Sequence, residues 1–454
     1  MESNKTIFIS AFFGLIARNI LATDILSILS QKQGLRIVIL APKGKSKLYK
    51  DRFESKNIIV EGVNSVKFNR IEQLFFSLFL NSSDTNSRCI CRYHDRRKNN
   101  LLIKPFFWWL LAKLSNLKIA RELLRSIDYR FMNKTRFSGY FKKYSPDLVF
   151  STDVFEPDDV ALMREAKFRN IPTVGMVRSW DNITTHGLNR IIPDKLIVNT
   201  PNIKSEAVKY NDIKSENIFV VGIPHYDNYS IKSRIDKKEL FKELGLDPNK
   251  KTVFFAPPAK IFIENDPINR VIISELKQLE DVQIILRLYF VGDVDIGDTK
   301  PIPGKLAIDA PPSGKDFVEG GLSLNDRLPD FLCHSDVIIT FASTLAIDAI
   351  VFNKPVIFIG FDGKPDCEYW ESLRRFYDFD HQRSLLDADG IKLANSLNEL
   401  IEYVKSYIHN SDLDKEEREK IINDRCWKLD GKSSERLAYV LIRFLESCYR
   451  DDSN

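Results

Sequence analysis

The chain has 454 residues, a length that suits two domains of about 200 residues each better than one. Its apolar fraction of 44% and charged fraction of 28% are those of a globular protein with a sizeable core in each half. A net charge of +5 is small for this length and does not favour nucleic acid as the main partner.

The cysteines, the N-terminal segment and the apolar runs indicate the cellular compartment. Six scattered cysteines show no zinc spacing, and the N-terminal MESNKTIFIS lacks the features of a signal peptide. No apolar run reaches the roughly 18 residues that span a bilayer. The nearest, Leu101–Leu114, is short and interrupted by lysines and a proline. We therefore expect a reduced, cytoplasmic chain, with peripheral contact to the inner face of the cytoplasmic membrane as one option.

The chain begins with a strand, a helix and a second strand. Thr6–Phe12 and Arg36–Leu40 are apolar runs typical of buried strands, and Leu15–Leu29 has apolar residues at helical spacing. This order predicts a βαβ unit and a parallel sheet. Further strands are predicted at 147–151, 172–177, 195–198 and 218–221.

A helical and basic insert, about 64–143, interrupts this alternation. Its aromatic centre, Phe106 to Trp109, lies among lysines and arginines. The insert has two interpretations. It could dock on an anionic membrane surface, which fits a lipid-linked acceptor. Equally, its aromatic residues could be core and its charges a solvated face.

A second α/β series begins at Lys251–Ala256, with strands predicted at 284–288, 337–340 and 355–359. We predict an N-terminal domain over 1–229, a C-terminal domain over 230–430, and a C-terminal helix and tail over 431–454.

The strongest motif is SDVIITFASTLAIDAIVFNKPVIFIGFDG, from Ser335 to Gly363. It predicts a strand, a short turn at Ser343 and Thr344, a helix and another strand. Unbonded backbone N–H groups and the positive end of the helix dipole favour a phosphate at such a turn. Asp348 interrupts the apolar helix, and a buried carboxylate requires a partner such as a ribose diol. The competing interpretation is an ordinary helix N-cap.

The loop RSWDNITTHG directly follows a predicted strand, where ligands of open α/β sheets bind. Trp180 could stack on a sugar or a base, and Asp181 or His186 could remove a proton from an acceptor hydroxyl. Arg178 and Asn182 complete the polar set. The alternative is a loop held together by Asx-type hydrogen bonds.

Two more sets of cations follow predicted strands. Arg18 lies in a first helical turn, where a cation opposes the helix dipole, so an anionic ligand or a carboxylate such as Asp153 is expected near it and its neighbour Asn19. A solvated arginine is the other interpretation. Lys260 and Arg287 could neutralise a diphosphate.

The pattern of SD, strand, Ser-Thr, helix, NKP and strand resembles the donor half of GT-B enzymes, above all bacterial surface-polysaccharide glycosyltransferases. It is similar, more distantly, to CDP-glycerol glycerophosphotransferases and UDP-N-acetylglucosamine 2-epimerases. GIPHYD resembles the GxPxxD that joins the domains in this superfamily, and it places His225 near the expected donor cleft. The SWDN loop and the ARNIL string occur in the same group of proteins.

The resemblance implies two Rossmann-like domains that face each other across a cleft. It implies that Ser343 and Thr344 hold the donor pyrophosphate and that Asp348 holds the ribose. The turn departs from the epimerases because it has no glycine. Arg287-Leu288-Tyr289 stands where the glycerophosphotransferases usually have histidine and proline.

The expected function is a glycosyltransferase that moves a sugar from a nucleotide sugar to a lipid-linked or polysaccharide acceptor in synthesis of lipopolysaccharide O-antigen or capsule. No cofactor or metal is expected, because helix dipole and cations can balance the leaving-group charge. Asp293-Val294-Asp295 has the letters of a metal-binding DxD without supporting ligands. The alternatives are a CDP-polyol phosphotransferase, a sugar-nucleotide epimerase, and a nucleotide-sugar-binding subunit without activity.

Overall fold

The computed structural model describes residues 5–99, 103–229, 235–289, 293–310 and 327–447. It divides into two compact units. The first unit comprises Met1–Asp227 together with Cys426–Asn454, and the second comprises Asn228–Arg425. The C-terminal segment therefore belongs to the first unit.

The sheet of the first unit has seven parallel strands in the order β3-β2-β1-β4-β5-β6-β7. The strands are β1 Lys5–Ser10, β2 Leu35–Pro42, β3 Ile58–Val63, β4 Leu148–Ser151, β5 Thr173–Met176, β6 Lys195–Val198 and β7 Ile218–Val220. Strands buried on both faces by flanking helices read as continuous apolar runs, which is why most of them could be predicted.

Helices cover this sheet. A π-helical turn, Ala17–Leu21, follows β1, so the single helix predicted over Leu15–Leu29 is divided in two. The α-helices up to the end of β7 are α1 Asp24–Ser30, α2 Ser46–Phe53, α3 Arg70–Asn81, α4 Asn86–Asn99, α5 Ile103–Leu114, α6 Lys118–Phe131, α7 Ser138–Tyr144, α8 Pro157–Phe168, α9 Asn182–Thr185 and α10 Pro201–Asn211. Helices α3 to α7 lie between β3 and β4, in the region of the predicted insert. Short 3₁₀ turns occupy Lys43–Lys45, Ser215–Asn217 and Pro224–Asn228.

The second unit has six parallel strands in the order β10-β9-β8-β11-β12-β13. They are β8 Lys251–Phe255, β9 Val282–Arg287, β10 Leu306–Asp309, β11 Val337–Thr340, β12 Val356–Ile359 and β13 Lys392–Ala394. The helices are α11 Lys237–Glu243, α12 Ile268–Gln278, α13 Leu328–His334, α14 Leu345–Val351, α15 Arg374–Tyr377, α16 Asp380–Leu386, α17 Leu397–His409 and α18 Lys415–Arg425.

In both sheets the first strand of the unit is central, and successive strands are added first on one side of it and then on the other. The change of side falls between β1 and β4 in the first unit and between β8 and β11 in the second. In open parallel sheets, the crevice at the carboxyl ends of the strands beside such a reversal is the usual ligand site. The predicted fold class, two α/β units built on parallel sheets, is confirmed. No helix in the described ranges is long and apolar enough to cross a bilayer.

The last helix, α19 Ser433–Ser447, is fastened to the first unit by the GIPHYD segment. Asp227 accepts hydrogen bonds from the backbone N–H groups of Ser433 (3.0 Å) and Ser434 (2.7 Å), which are the first residues of this helix. Gly222 has a φ of +89°, and a Cβ there would lie 2.5 Å from Ser433 Oγ. In this chain the aspartate of GxPxxD therefore caps α19, and the glycine lets the start of that helix approach closely.

Candidate functional site

A small polar pocket lies at the carboxyl ends of the strands in the first unit. Its polar lining comes from five different connections: Asn19 after β1, Thr152 after β4, Arg178 after β5, Asn199 after β6 and His225 after β7. The side chains of Ile16, Ile20, Met176 and Ile223 line the rest. Residues far apart in the chain meet here because parallel strands end at the same edge.

Arg178 is the best-anchored cation of this pocket. Its Nε lies 3.3 Å from Asp153 Oδ2, and its guanidinium carbon lies 3.7 Å from the centre of the Phe13 ring. Asp153, which with Asp181 and an anionic ligand was one of the possible partners of Arg18, pairs with Arg178 instead. Arg18 instead donates from Nε to Asn19 Oδ1 at 2.9 Å and so orients the amide at the pocket.

Two buried polar atoms in the pocket lining make no hydrogen bond within the described residues: Nη1 of Arg178 and Oδ1 of Asn199. Buried polar groups in native proteins are nearly always bonded, and an unbonded one costs about 1–3 kcal/mol. A donor and an acceptor left unbonded in one pocket favour a ligand rich in hydroxyl or charged oxygen groups.

The polar loop after β5 is ordered by its own hydrogen bonds. Asn182, which is buried, accepts from the backbone N–H of Ser179 at 2.9 Å, and Asp181 accepts from Ser179 Oγ at 2.5 Å. The Asx-type interpretation is therefore correct for Asn182. Trp180 is only 9% exposed, which leaves little of its ring for the predicted stacking on a sugar.

His186, at the end of α9, has its tautomer set by its neighbour. Thr185 Oγ1 donates its single hydrogen to the carbonyl oxygen of Asp181 at 2.8 Å, and the same Oγ1 lies 2.8 Å from His186 Nδ1. With Thr185 donating to Asp181, Nδ1 is assigned the hydrogen of that second contact. The contact of Nδ1 with Asn182 Nδ2 is longer, 3.4 Å, and does not outweigh it. Nε2 is left as an unprotonated acceptor.

Electrostatics keep this imidazole neutral. Burial lowers the pKa of His186 below its ordinary value of 6.5, and the charges of Asp181 and Asp153 oppose this effect only in part. Since the neutral form is present at neutral pH, Nε2 has the lone pair that a general base requires.

His225 lies in the first unit, where it lines the pocket with Asn19 and Arg178, and its role in donor binding stays a prediction. Burial and the charge of Arg18 hold the pKa of His225 well below 6.5. It is a neutral hydrogen-bonding group of the polar pocket.

Sequence reasoning missed a buried acidic group beneath the pocket. Asp159 Oδ1 accepts from Ser151 Oγ (2.9 Å) and from Ser10 Oγ, and burial together with Asp153 raises its pKa well above the usual range. Thr152 and Asn199 were missed as well. Thr152 and Asn199 directly follow strands that were predicted, so the rule that ligands bind beyond the carboxyl ends of strands would have found them.

In the second unit, the predicted turn at Ser343 and Thr344 lies between β11 and the start of α14. Neither the backbone N–H of Ser343 nor that of Thr344 donates to any described residue. Thr344 occupies the N-cap position of α14 without a side-chain capping bond, whereas Ser343 Oγ accepts from the N–H of Leu345 at 3.2 Å. The N-cap interpretation therefore holds for Ser343 and not for the hydroxyl of Thr344, which is exposed.

Asp348 lies in the first turn of α14 and is buried. Its carboxylate is favoured there by the positive end of the helix dipole. A ribose contact for Asp348 stays a prediction.

The two predicted cations differ. Arg287 Nη1 lies 2.7 Å from Asp309 Oδ2 on the neighbouring strand, so much of its charge is already balanced. The ammonium of Lys260 is half exposed and 3.9 Å from the exposed Asp293. Lys260 is therefore the more available of the two for a diphosphate.

One group of potential metal ligands occurs in the second unit, among Asp266, Asp362 and Cys367. Asp266 accepts from the backbone N–H groups of Ile268, Gly363 and Lys364, and Asp362 accepts from Ser372 Oγ and Leu373 N–H. These bonds fasten the loop after β12 and leave few lone pairs for an ion. Of the DxD letters, Asp295 pairs with Arg270 at 2.7 Å.

Comparison with known sequences identifies relatives. Residues 313–443 match the family described as CDP-Glycerol:Poly(glycerophosphate) glycerophosphotransferase, a range that includes Ser343, Thr344 and Asp348. The teichoic acid poly(ribitol-phosphate) polymerase of Bacillus spizizenii is 24% identical over 263 residues, 57% of this chain and 38% of the polymerase. The chain thus matches well under half the length of that relative. Both names describe polyol-phosphate chemistry and support the predicted transferase class.

Comparison with solved structures extends over both units. The S. aureus MnaA–UDP co-structure matches with a TM-score of 0.55, 13% identity and 97% coverage of each chain. A putative UDP-N-acetylglucosamine 2-epimerase from Listeria monocytogenes gives 0.56, 12% and 98% of each chain. The glycotransferase of kitacinnamycin gives 0.54 and 10%, with 98% of this chain and 99% of the other covered. At these identities the likeness shows the fold. The resemblance predicted from the sequence is confirmed.

Proposed function

We propose that the protein transfers a sugar from a nucleotide-activated donor to a lipid-linked or polysaccharide acceptor in the synthesis of a bacterial surface glycan, either lipopolysaccharide O-antigen or capsule. The observation that carries this proposal is the neutral His186 on the polar loop after β5, whose first residue, Arg178, lines a pocket that contains unbonded polar atoms. Such a site suits the deprotonation of a hydroxyl nucleophile.

The second unit supplies the donor site in this proposal. The unbonded N–H groups of Ser343 and Thr344 bind the diphosphate, and the ammonium of Lys260 adds a positive charge. Asp348 accepts hydrogen bonds from the ribose hydroxyl groups. Backbone donors and a cation stabilise the negative charge of the departing nucleotide without a metal ion.

The first unit supplies the acceptor site and the base. The acceptor oxygen forms a bond to the anomeric carbon while the bond between that carbon and the diphosphate oxygen breaks. The hydroxyl proton passes to Nε2 of His186, and the nucleoside diphosphate leaves with the bonding electron pair. Asp181 is the alternative base, but it already accepts a hydrogen bond from Ser179.

A CDP-polyol phosphotransferase is the second candidate, and one finding favours it. The matched family and the curated relative are both named for polyol-phosphate chemistry. Against it, Arg287-Leu288-Tyr289 replaces the histidine and proline usual in glycerophosphotransferases. Tyr289 is partly buried beside Phe262, and burial raises its pKa, so it is a poor substitute for an imidazole base.

The leaving group separates the two candidates. Sugar transfer releases a nucleoside diphosphate, whereas polyol-phosphate transfer breaks the diphosphate bridge and releases CMP. The full chain is incubated with UDP-, GDP- and dTDP-sugars and with CDP-glycerol and CDP-ribitol, each with and without a polyprenyl-diphosphate-linked saccharide. Nucleotide release is then measured by chromatography.

We expect acceptor-dependent release of a nucleoside diphosphate from one sugar donor. Release of CMP from a CDP-polyol would establish the second candidate instead. Conversion of a sugar nucleotide to its epimer without acceptor would overturn both. Binding of a donor with no turnover under any of these conditions would identify a binding subunit.

A further inference from the structure

Helix α6 turns three of its charged residues, Arg121, Arg125 and Asp128, toward the protein. Arg121 makes two bonds to the carboxylate of Asp212, and Arg125 reaches the same carboxylate at 3.2 Å. One turn further, Asp128 is completely buried between Arg164 and Arg190, with both distances 2.5 Å. These ion pairs anchor the helix, so the face that an ordinary surface helix turns to water is here the inner face.

The opposite face of the same helix is apolar and open to solvent. Ile119, Leu123, Ile127 and Phe131 recur at every fourth position and so form one row along the helix. Ile119 is 80% exposed and Phe131 is 68% exposed. Amphipathic helices of globular proteins bury such a row in the core, and α6 presents it to the outside.

The preceding helix and turn extend this row into a surface, which we call the apolar face. It consists of Phe107, Trp109, Leu110, Leu114, Leu117, Ile119, Leu123, Ile127 and Phe131, all of them exposed. Scattered single apolar residues are normal on a protein surface, but nine exposed apolar residues within 25 positions, four of them in one row on α6, are typical of an interaction site.

Charge and composition favour one occupant. Among the described side chains of the two helices, the exposed cations are Lys113, Lys118 and Arg130. Lys113 pairs with Asp84 at 2.7 Å and Lys118 with Glu122 at 3.7 Å, but such surface pairs are weak and leave the cations open to lipid phosphate. Basic side chains around an apolar surface with a tryptophan suit an anionic lipid surface. A second copy of the chain would bring the same positive charges together and is disfavoured.

We propose that the apolar face is a membrane-docking surface that inserts into the headgroup region of a bilayer containing anionic phospholipid. The insert is also tied to the polar loop. Thr85 Oγ1 donates to the carbonyl oxygen of Thr184 at 2.6 Å, and the N–H of Leu188 donates to that of Phe79 at 3.0 Å. Docking through this face holds the loop that bears His186 near the membrane, where a lipid-linked acceptor resides.

The test compares two double variants of the full chain. Ile119→Glu/Leu123→Glu places charges in the apolar face and keeps residues that favour a helix. Val208→Glu/Tyr439→Glu makes the same change of charge at exposed apolar positions on α10 and α19. Binding is measured by co-sedimentation with phosphatidylcholine vesicles with and without phosphatidylglycerol, at low and high salt. Circular dichroism and gel filtration follow folding and oligomeric state.

We expect the unaltered chain and the control to bind the anionic vesicles, more weakly at high salt, and the α6 variant to lose at least about tenfold in partitioning. Equal binding by the two variants would overturn the proposal. Failure of the unaltered chain to bind vesicles would also overturn it. If the unaltered chain is then found to be a dimer and the α6 variant a monomer, the apolar face is assigned to a second copy of the chain. None of these outcomes depends on the transfer reaction, so a membrane-bound chain without activity would contradict the proposed function alone.

Discussion

The two sheets share one strand order around their central strands, yet their carboxyl edges differ in chemistry. In the first unit, the edge gathers acidic side chains and an imidazole, with His186, Asp153 and Asp159 among hydroxyl and amide side chains. In the second unit, the edge packs aromatic rings, with Phe262 4.8 Å from Phe341, beside a turn of unbonded backbone N–H groups.

This difference shows that the topology fixes where a ligand binds and the loops fix what is bound. An edge of titratable side chains suits proton transfer, and an edge of backbone donors suits an anion that must be held without being protonated. The proposed division into a base-bearing unit and a donor-binding unit follows from this contrast. The following predictions test it.

The largest expected effect is on the proton acceptor. His186→Gln removes the basic Nε2, so kcat should fall by about 10²- to 10⁴-fold while donor affinity is unchanged. Steady-state kinetics and calorimetry with the nucleotide measure the two quantities. Asp181→Asn is the matched comparison, because Asp181 is the other candidate base. A greater loss of kcat in Asp181→Asn than in His186→Gln would exchange their roles.

Donor affinity should respond to the second unit. Asp348→Ala removes a charge-assisted hydrogen bond to the ribose, so nucleotide binding should weaken by about 10- to 100-fold in calorimetry. Asp387→Asn, an exposed acid of the same unit, serves as the control and should bind normally. Thermal unfolding of both variants shows whether the fold is kept. Unchanged affinity in a folded Asp348→Ala protein rules out this donor contact.

The pH profile should report the lowered pKa of His186. The imidazole acts in its neutral form, so kcat/KM should stay constant as the pH falls to 6.5 and decline only below it. The decline should approach about tenfold per pH unit. In Asp181→Asn the inflection should move to still lower pH, since the charge of Asp181 raises the pKa of His186. An inflection above 6.5 contradicts the assignment.

The smallest expected effect concerns the attachment of α19 to the first unit. Gly222→Ala places a Cβ against Ser433 and forces an L residue to a φ of +89°, so the free energy of unfolding should fall by about 1–3 kcal/mol. Gly245→Ala is a control with a similar φ, +66°, and no atom within 4 Å of the new Cβ. Denaturant unfolding should show a smaller loss for Gly245→Ala. Equal losses would mean that contact with α19 contributes nothing.

The strands that the sequence failed to predict share a position. Three strands, β3, β10 and β13, were missed, and each lies at the edge of its sheet. Edge strands have one open side, so they need not be long or continuously apolar, as IIVEGV, LAID and KLA show. The central strands are covered on both faces and were predicted nearly to the residue.

The candidate site was predicted in the same uneven way. Asp181, His186, Ser343 and Asp348 stand next to recognisable strand ends, so their neighbourhoods could be inferred. The ion-pair partners of the arginines could not be inferred. That Arg178 pairs with Asp153, and that Arg287 pairs with Asp309, depends on neighbouring strands that are distant in the sequence.

The sequence by itself determined the two α/β units and the position of the turn at Ser343, because buried parallel strands and helix starts are encoded locally by apolar runs and hydrogen-bonding residues. Only the tertiary structure decided the capping of α19 by Asp227 and the outward direction of the apolar row on α6. Each of these depends on contacts between distant segments. In α6 the ion pairs with Asp212, Arg164 and Arg190 select which face is buried, and hydrophobic periodicity alone would have selected the opposite one.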